Sequence, residues 1–237
     1  MKVILNKKPK NPILIEGFPG FGLVGTIATE FLLEHLEMER IGKIEFDEMP
    51  AMVAIHDGKT VEPLGIFYNK KFNIVILHAI TPSNKIEWEI AAAINKLAKD
   101  LSVKEIISLE GVGSGEDSGK ESKVFYFSNN DKKSKAFEKI KIPKLNEGII
   151  IGVTGAVMLR ADAAPVSCLF AETHSRLPDS KAAAKIIEVI DKYLGIKVDV
   201  KPLLVQAQKF EAKLKTMMQQ GQQAKDLSDK KKMSYVG

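Results

Sequence analysis

Ile13-Leu14-Ile15-Glu16-Gly17-Phe18-Pro19-Gly20-Phe21-Gly22-Leu23-Val24-Gly25 is the stretch whose reading decides the fold. Its first three residues form an apolar run of strand length that ends near Gly17. From Leu23 to Leu36, apolar residues fall at 23, 24, 27, 28, 31 and 32, the stripe of a helix with a 3.6-residue period. A strand that turns through glycines into a helix is the opening of a βα unit, and such units build parallel sheets. Gly20, Gly22 and Gly25 also spell G-x-G-x-x-G, and Glu45 and Asp47 follow at the distance of a ribose-binding acid. Two readings of the glycines stay open. They expose backbone N–H groups to a phosphate at a helix N-terminus, or they permit a sharp turn and close helix–sheet packing. Phe18 and Pro19 lengthen the turn beyond the tight dinucleotide step, which favours packing.

Outward from this unit, short apolar runs alternate with helical patterns. Ile41–Phe46, Met52–Ile55 and Val61–Tyr68 read as short strands, with His56-Asp57-Gly58-Lys59 as a turn and the whole 44–70 region as an antiparallel insertion. Asn73–Ala79 is a continuous apolar run and reads as a central strand. Asn84 with Glu87 three residues on suggests a capping box for a helix whose apolar face is Ile86, Ile90, Ile94 and Leu97. Glu105–Glu110, Val124–Phe127, Gly148–Val153 and Val166–Ala171 read as strands, and Gly111–Ser122 as a flexible loop. Thr154-Gly155 opens a short helix that ends before Pro165. Asp179 caps a helix over Lys181–Leu194, which Gly195 ends. The expected architecture is α/β, a mainly parallel sheet sandwiched between helices. A further helix spans 201–231, with its apolar seam at Leu203, Ala207, Phe210, Leu214 and Met217. These readings divide the chain into an α/β domain over 1–196 and a C-terminal helix and basic tail over 197–237.

Charge supports that division. The formal net charge is +5 over 237 residues. Residues 197–237 carry nine Lys against four acids, and the remainder balances at 26 against 26. The basic excess therefore sits in the tail, which carries no Arg and only Phe210 and Tyr235 as aromatics. Nucleic-acid binding, which draws on basic and aromatic residues over a folded face, is not the expected use. The N-terminus has no apolar stretch of signal-peptide length, no run reaches membrane-span length, and the single cysteine excludes an intrachain disulfide. The expectation is a soluble, cytoplasmic protein.

No catalytic set assembles by spacing. His35, His56, His78 and His174 are scattered, and none stands at metal-ligand spacing from another His or Cys, so neither a metal nor a cofactor is expected. Cys168 lies within an apolar strand and reads as inert core. The neighbours Glu172, His174 and Ser175 are too close in sequence for a triad. Gly111-Val112-Gly113-Ser114-Gly115 follows a strand and could face a ligand, but Gly119-Lys120 sits in no P-loop pattern.

Several of these segments together resemble the proteasome assembly chaperone 2 family in its archaeal branch. They are Gly17–Gly25, Gly111-Val112-Gly113, Gly152–Leu159, Ala171–His174, Pro178–Ala184 and Val198–Leu203. The resemblance implies an α/β sandwich similar to nucleoside phosphorylases but without their catalytic residues. It also implies a non-enzymatic, homo-oligomeric chaperone or adaptor that binds proteasome α-subunits during assembly or activation. Some archaeal relatives dock a C-terminal hydrophobic–tyrosine–any-residue motif between α-subunits. Here the corresponding candidates are Tyr235, Val236 and Gly237, with tyrosine third from the end and Ser234 before it. The alternative is a nucleotide- or nucleoside-binding enzyme that uses Gly20, Gly22, Gly25, Gly111 and Gly113.

Overall fold

The alternation of apolar strands and amphipathic helices closes into one eight-stranded sheet with helices on both faces. The computed structural model describes residues 1–205, 207 and 216, except 49–52, 57, 82–84, 114–121 and 174–176. The strands are β1 (Lys2–Leu5), β2 (Ile13–Gly17), β3 (Glu39–Glu45), β4 (Ala54–His56), β5 (Lys59–Val61), β6 (Leu64–Asn69), β7 (Ile74–Ala79), β8 (Glu105–Gly113), β9 (Val124–Ser128) and β10 (Val166–Thr173). The helices are α1 (Val24–His35), α2 (Glu87–Leu101), α3 (Asp131–Lys139), α4 (Val153–Arg160) and α5 (Ser180–Leu194).

The sheet order is β1-β3-β6-β7-β2-β8-β10-β9. Its centre, β7-β2-β8-β10, is parallel, and every outer pairing is antiparallel. β3 again runs with the central strands, so most strands share one direction. Successive residues of β2 point to opposite faces, as the two-residue strand period requires. Ile15 joins the core under α1 and α5, while Leu14 joins the core under α2 and α4. β4 and β5 form a separate hairpin. Asn73–Ala79 is central as expected.

Helix ends follow local chemistry. The Asp179 carboxylate accepts from the Ala182 N–H at 2.9 Å, and Gly195 closes α5 at φ 67°. The expected capping box falls on Asn84, outside the described residues. α2 starts at Glu87 with Ile86 at its cap position and no side-chain cap.

Four departures have physical reasons. Val61–Tyr68 divides into β5 and β6 around Pro63, which has no N–H to give a ladder. β8 continues through Gly111 to Gly113, because β10 pairs with it as far as Thr173↔Gly113. The remainder of the expected loop lies outside the described residues, apart from Ser122. Gly148–Val153 is no strand. It runs as an unpaired strap with Ile149 and Ile151 92% and 80% exposed, and its last residue begins α4. Finally, β1 and α3 were not expected. α3 is highly polar and buries only Phe137, whose ring stacks between Tyr126 and Tyr193 at 5.0 and 4.3 Å.

Beyond α5, Ile196, Val200 and Leu203 pack into the α1–α5 core, and residues 201–205 are helical. The remainder of the expected 201–231 helix lies outside the described residues, save positions 207 and 216, as do Tyr235, Val236 and Gly237. No helix among the described residues is long and apolar enough to cross a membrane.

Candidate functional site

The chain leaves β2 through α1 toward β3, β6 and β7 on one side of the sheet, whereas β8 leads to β9 and β10 on the other. The C-terminal ends of β2 and β8 therefore flank a topological switch point, the usual ligand position in open α/β sheets. A cleft of about 890 Å³ opens there. Phe18–Phe21 and Glu110–Gly113 form its floor, and the 144–153 strap, Phe125 and Glu172 form its walls.

The glycine turn holds α1 against the sheet. A Cβ on Gly17 would lie 2.2 Å from the Gly25 carbonyl oxygen, and one on Gly25 would lie 2.3 Å from that of Leu109. Backbone thus meets backbone where α1 starts. Gly22 takes φ +62°, a left-handed turn that a side chain would strain. Of the glycines considered as ligand contacts, Gly20, Gly111 and Gly113 line the cleft. Gly22 packs against Thr173 and Gly25 against β8, so these two are not brought to it.

Two carboxyl groups distinguish this end of the sheet. Glu110 lines the cleft, and a Cβ on Gly20 would stand 2.0 Å from its Oε1. The Thr154 hydroxyl donates to Oε2 at 3.0 Å. The Gly111 and Phe21 N–H groups donate to the same carboxylate. Burial pushes Glu110 up to about 7, and those neutral donors only partly oppose it. Glu16, on the α2–α4 face of β2, is fully buried. Its Oε1 accepts from the Ser108 hydroxyl, while Oε2 has no hydrogen-bond partner. Burial pushes it up to about 8, with the Glu110 charge adding to the effect. The sequence reading missed both residues. The available signal was an acid inside a mainly apolar strand, Glu16 after Ile13-Leu14-Ile15 and Glu110 after Ile106-Ile107-Ser108-Leu109.

On the α1 face, His78 is buried. Its Nδ1 lies 2.8 Å from the Thr29 hydroxyl, which also contacts the Gly25 carbonyl at 2.9 Å. Glu30 Oε2 lies 2.8 Å from Nε2, within ion-pair distance but without hydrogen-bond alignment. Thr29 has no exposed surface to offer a substrate, so the trio ties α1 to β7. His35 stacks on Phe31, and His174 and Ser175 lie outside the described residues. Burial holds the Cys168 thiol far above its ordinary range, which leaves it protonated core. Among the described residues, no three His, Cys, Asp or Glu side chains converge as metal ligands would.

The sequence profile of the PAC2 family matches residues 14–218. The chain belongs to the PAC2 family. Among solved PAC2-type structures, Pyrococcus furiosus PbaA, described as an archaeal homolog of proteasome-assembly chaperone, is 33% identical. That match covers 94% of this chain and 99% of PbaA with a TM-score of 0.85. Pyrococcus furiosus PbaB, described as an archaeal proteasome activator, is 22% identical with a TM-score of 0.76 over 91% of this chain and 97% of PbaB, and it shows the shared fold. An uncharacterised protein of Methanocaldococcus jannaschii is 29% identical over 231 residues, covering 96% of this chain and 94% of that protein. The α/β sandwich expected from sequence is therefore the PAC2 fold.

Proposed function

We propose that the chain is a non-enzymatic chaperone or adaptor that works in the cytoplasm as a homo-oligomer and binds proteasome α-subunits during assembly or activation. The observation that carries this reading is its 33% identity to PbaA over 94% of the chain. The surface around α4 suits protein contacts. Ile149, Ile151 and Leu159 are exposed, and Trp88 on α2 lies under the Arg160 guanidinium at 4.2 Å. Exposed aliphatic side chains beside a Trp–Arg pair have the composition of an interface core.

The test is the mass of the full chain measured with and without archaeal proteasome α-subunits. Self-association and a stable complex with the α-subunits are expected. A monomer that leaves the α-subunits unretained overturns the reading. Deleting Ser234–Gly237 separates the tail from the body. Unchanged α-subunit binding would remove Tyr235, Val236 and Gly237 as anchors while leaving the chaperone reading in place. The cleft, lined by Gly20, Gly111 and Gly113, supports small-molecule binding as a second activity of the same fold.

A further inference from the structure

The chemistry of the cleft walls selects a ligand class. The volume, about 890 Å³, falls within the range of small-molecule sites. Phe18, Phe21, Val112, Phe125, Leu145 and Ile150 give it an apolar and aromatic lining. Among the described lining residues the formal charges are unbalanced: Glu87, Glu110, Glu147 and Glu172 stand against Lys144. A phosphate or carboxylate placed among them would meet repulsion from several sides, and low-dielectric walls strengthen that repulsion.

Glu110 fixes the sign of the ligand. Its donors, Thr154, Gly111 and Phe21, are all neutral, and no cationic side chain pairs with it among the described residues. A carboxylate removed from water without a counter-charge is costly. A cation entering the cleft would supply that counter-charge. Aromatic faces stabilise an organic cation further, and Phe21 and Phe125 are only partly buried within the lining.

We propose that the cleft at the β2–β8 switch point binds a small organic cation, a primary ammonium group on an apolar stem, with the ammonium against Glu110 and the stem along the phenylalanine wall. This activity goes beyond subunit binding, although Ile149 and Ile151 belong both to the cleft wall and to the exposed surface around α4.

The experiment is isothermal titration of the full-length protein at pH 8 with n-hexylamine, hexan-1-ol and hexanoate. Saturable one-site binding of hexylamine is expected, with a dissociation constant on the order of millimolar for so few atoms. Neither the alcohol nor the acid should saturate. E110Q, which keeps the shape of the side chain and removes its charge, should weaken hexylamine by about tenfold or more, the scale of a lost charged hydrogen bond. E147Q is a second variant, on an exposed residue outside the core. It should weaken binding modestly and reduce its dependence on salt. Binding of hexanol or hexanoate as tight as that of hexylamine would overturn the proposal, because the cleft would then be selecting bulk alone. No saturable hexylamine binding, or equal affinity in wild type, E110Q and E147Q, would also overturn it. A blocked Ala-Lys-Ala tripeptide distinguishes the source of the ammonium. If the peptide binds and hexylamine does not, the small-molecule assignment fails.

Discussion

Replacing Glu16 by Gln should make the protein more stable in alkaline solution and leave it little changed in acid. Glu16 is fully buried, its Oε2 lacks a partner, and burial moves its carboxyl from 4.5 to about 8. Between these values the folded chain holds a proton that the unfolded chain has released. Stability therefore falls as pH rises from about 4.5 and levels off above about 8. At roughly 1.4 kcal/mol for each tenfold change in proton affinity, the full loss is about 4–5 kcal/mol. Gln is uncharged at every pH and still offers Ser108 an acceptor, so it removes this slope. Its amide N–H group, set where Oε2 has no partner, costs about 1–2 kcal/mol at all pH values. The expected result is a variant equal to or slightly weaker than wild type at pH 5 and about 3 kcal/mol stronger at pH 9. Urea unfolding of both proteins at pH 5, 7 and 9 measures the difference, in which the pH dependence of Glu110 and all other shared groups cancels to first order. A constant offset between the two proteins from pH 5 to 9 would refute the reasoning, since it would mean that Glu16 ionises in the folded protein as it does in the unfolded one.

Further outcomes follow from the same contacts. Lys133→Met should cost about 3–5 kcal/mol, because it leaves the fully buried Glu105 carboxylate without the ammonium 2.6 Å away. Denaturant midpoints check this, and a loss under about 1 kcal/mol would show that Ser167 and Tyr193 suffice for that charge. Gly25→Ala should destabilise by about 3 kcal/mol or more, since its Cβ would sit 2.3 Å from the Leu109 carbonyl oxygen. A wild-type melting temperature would show that α1 shifts freely. Asp179→Ala removes the acceptor for the Ala182 N–H and for the Thr173 hydroxyl at 2.8 Å, and should cost about 1–2 kcal/mol by chemical denaturation.

Periodicity made α1, α2 and α5 legible, because each buries a broad apolar stripe on the sheet. The central strands were legible for a related reason: they are covered on both faces and read as unbroken apolar runs. The same rule failed at Gly148–Val153. That run is apolar but has no strand beside it, since β9 takes the edge of the sheet and the strap makes only one bridge to it, Lys144 to Tyr126. α3 escaped detection because the Asn130 cap and a single stacked Phe137 hold it, and neither produces a periodic pattern. At the site, the glycines were visible but their separate uses were not. Whether a glycine faces a cleft or a carbonyl depends on contacts from β8 and β10, far away in the chain. Glu16 and Glu110 likewise acquire their shifted acidity mainly from burial, with partners as distant in sequence as Ser108 and Thr154.

The packing of Val200 and Leu203 into the α1–α5 layer has a consequence for traffic around the molecule. The sheet is a partition. The chain departs toward its terminus from one side of it, while Glu87 and Val153, the ends of α2 and α4 that border the cleft, stand on the other. A partner gripping the exposed Leu204 and Val205 and a guest entering the cleft would occupy different rooms of the same building, so neither would have to wait for the other.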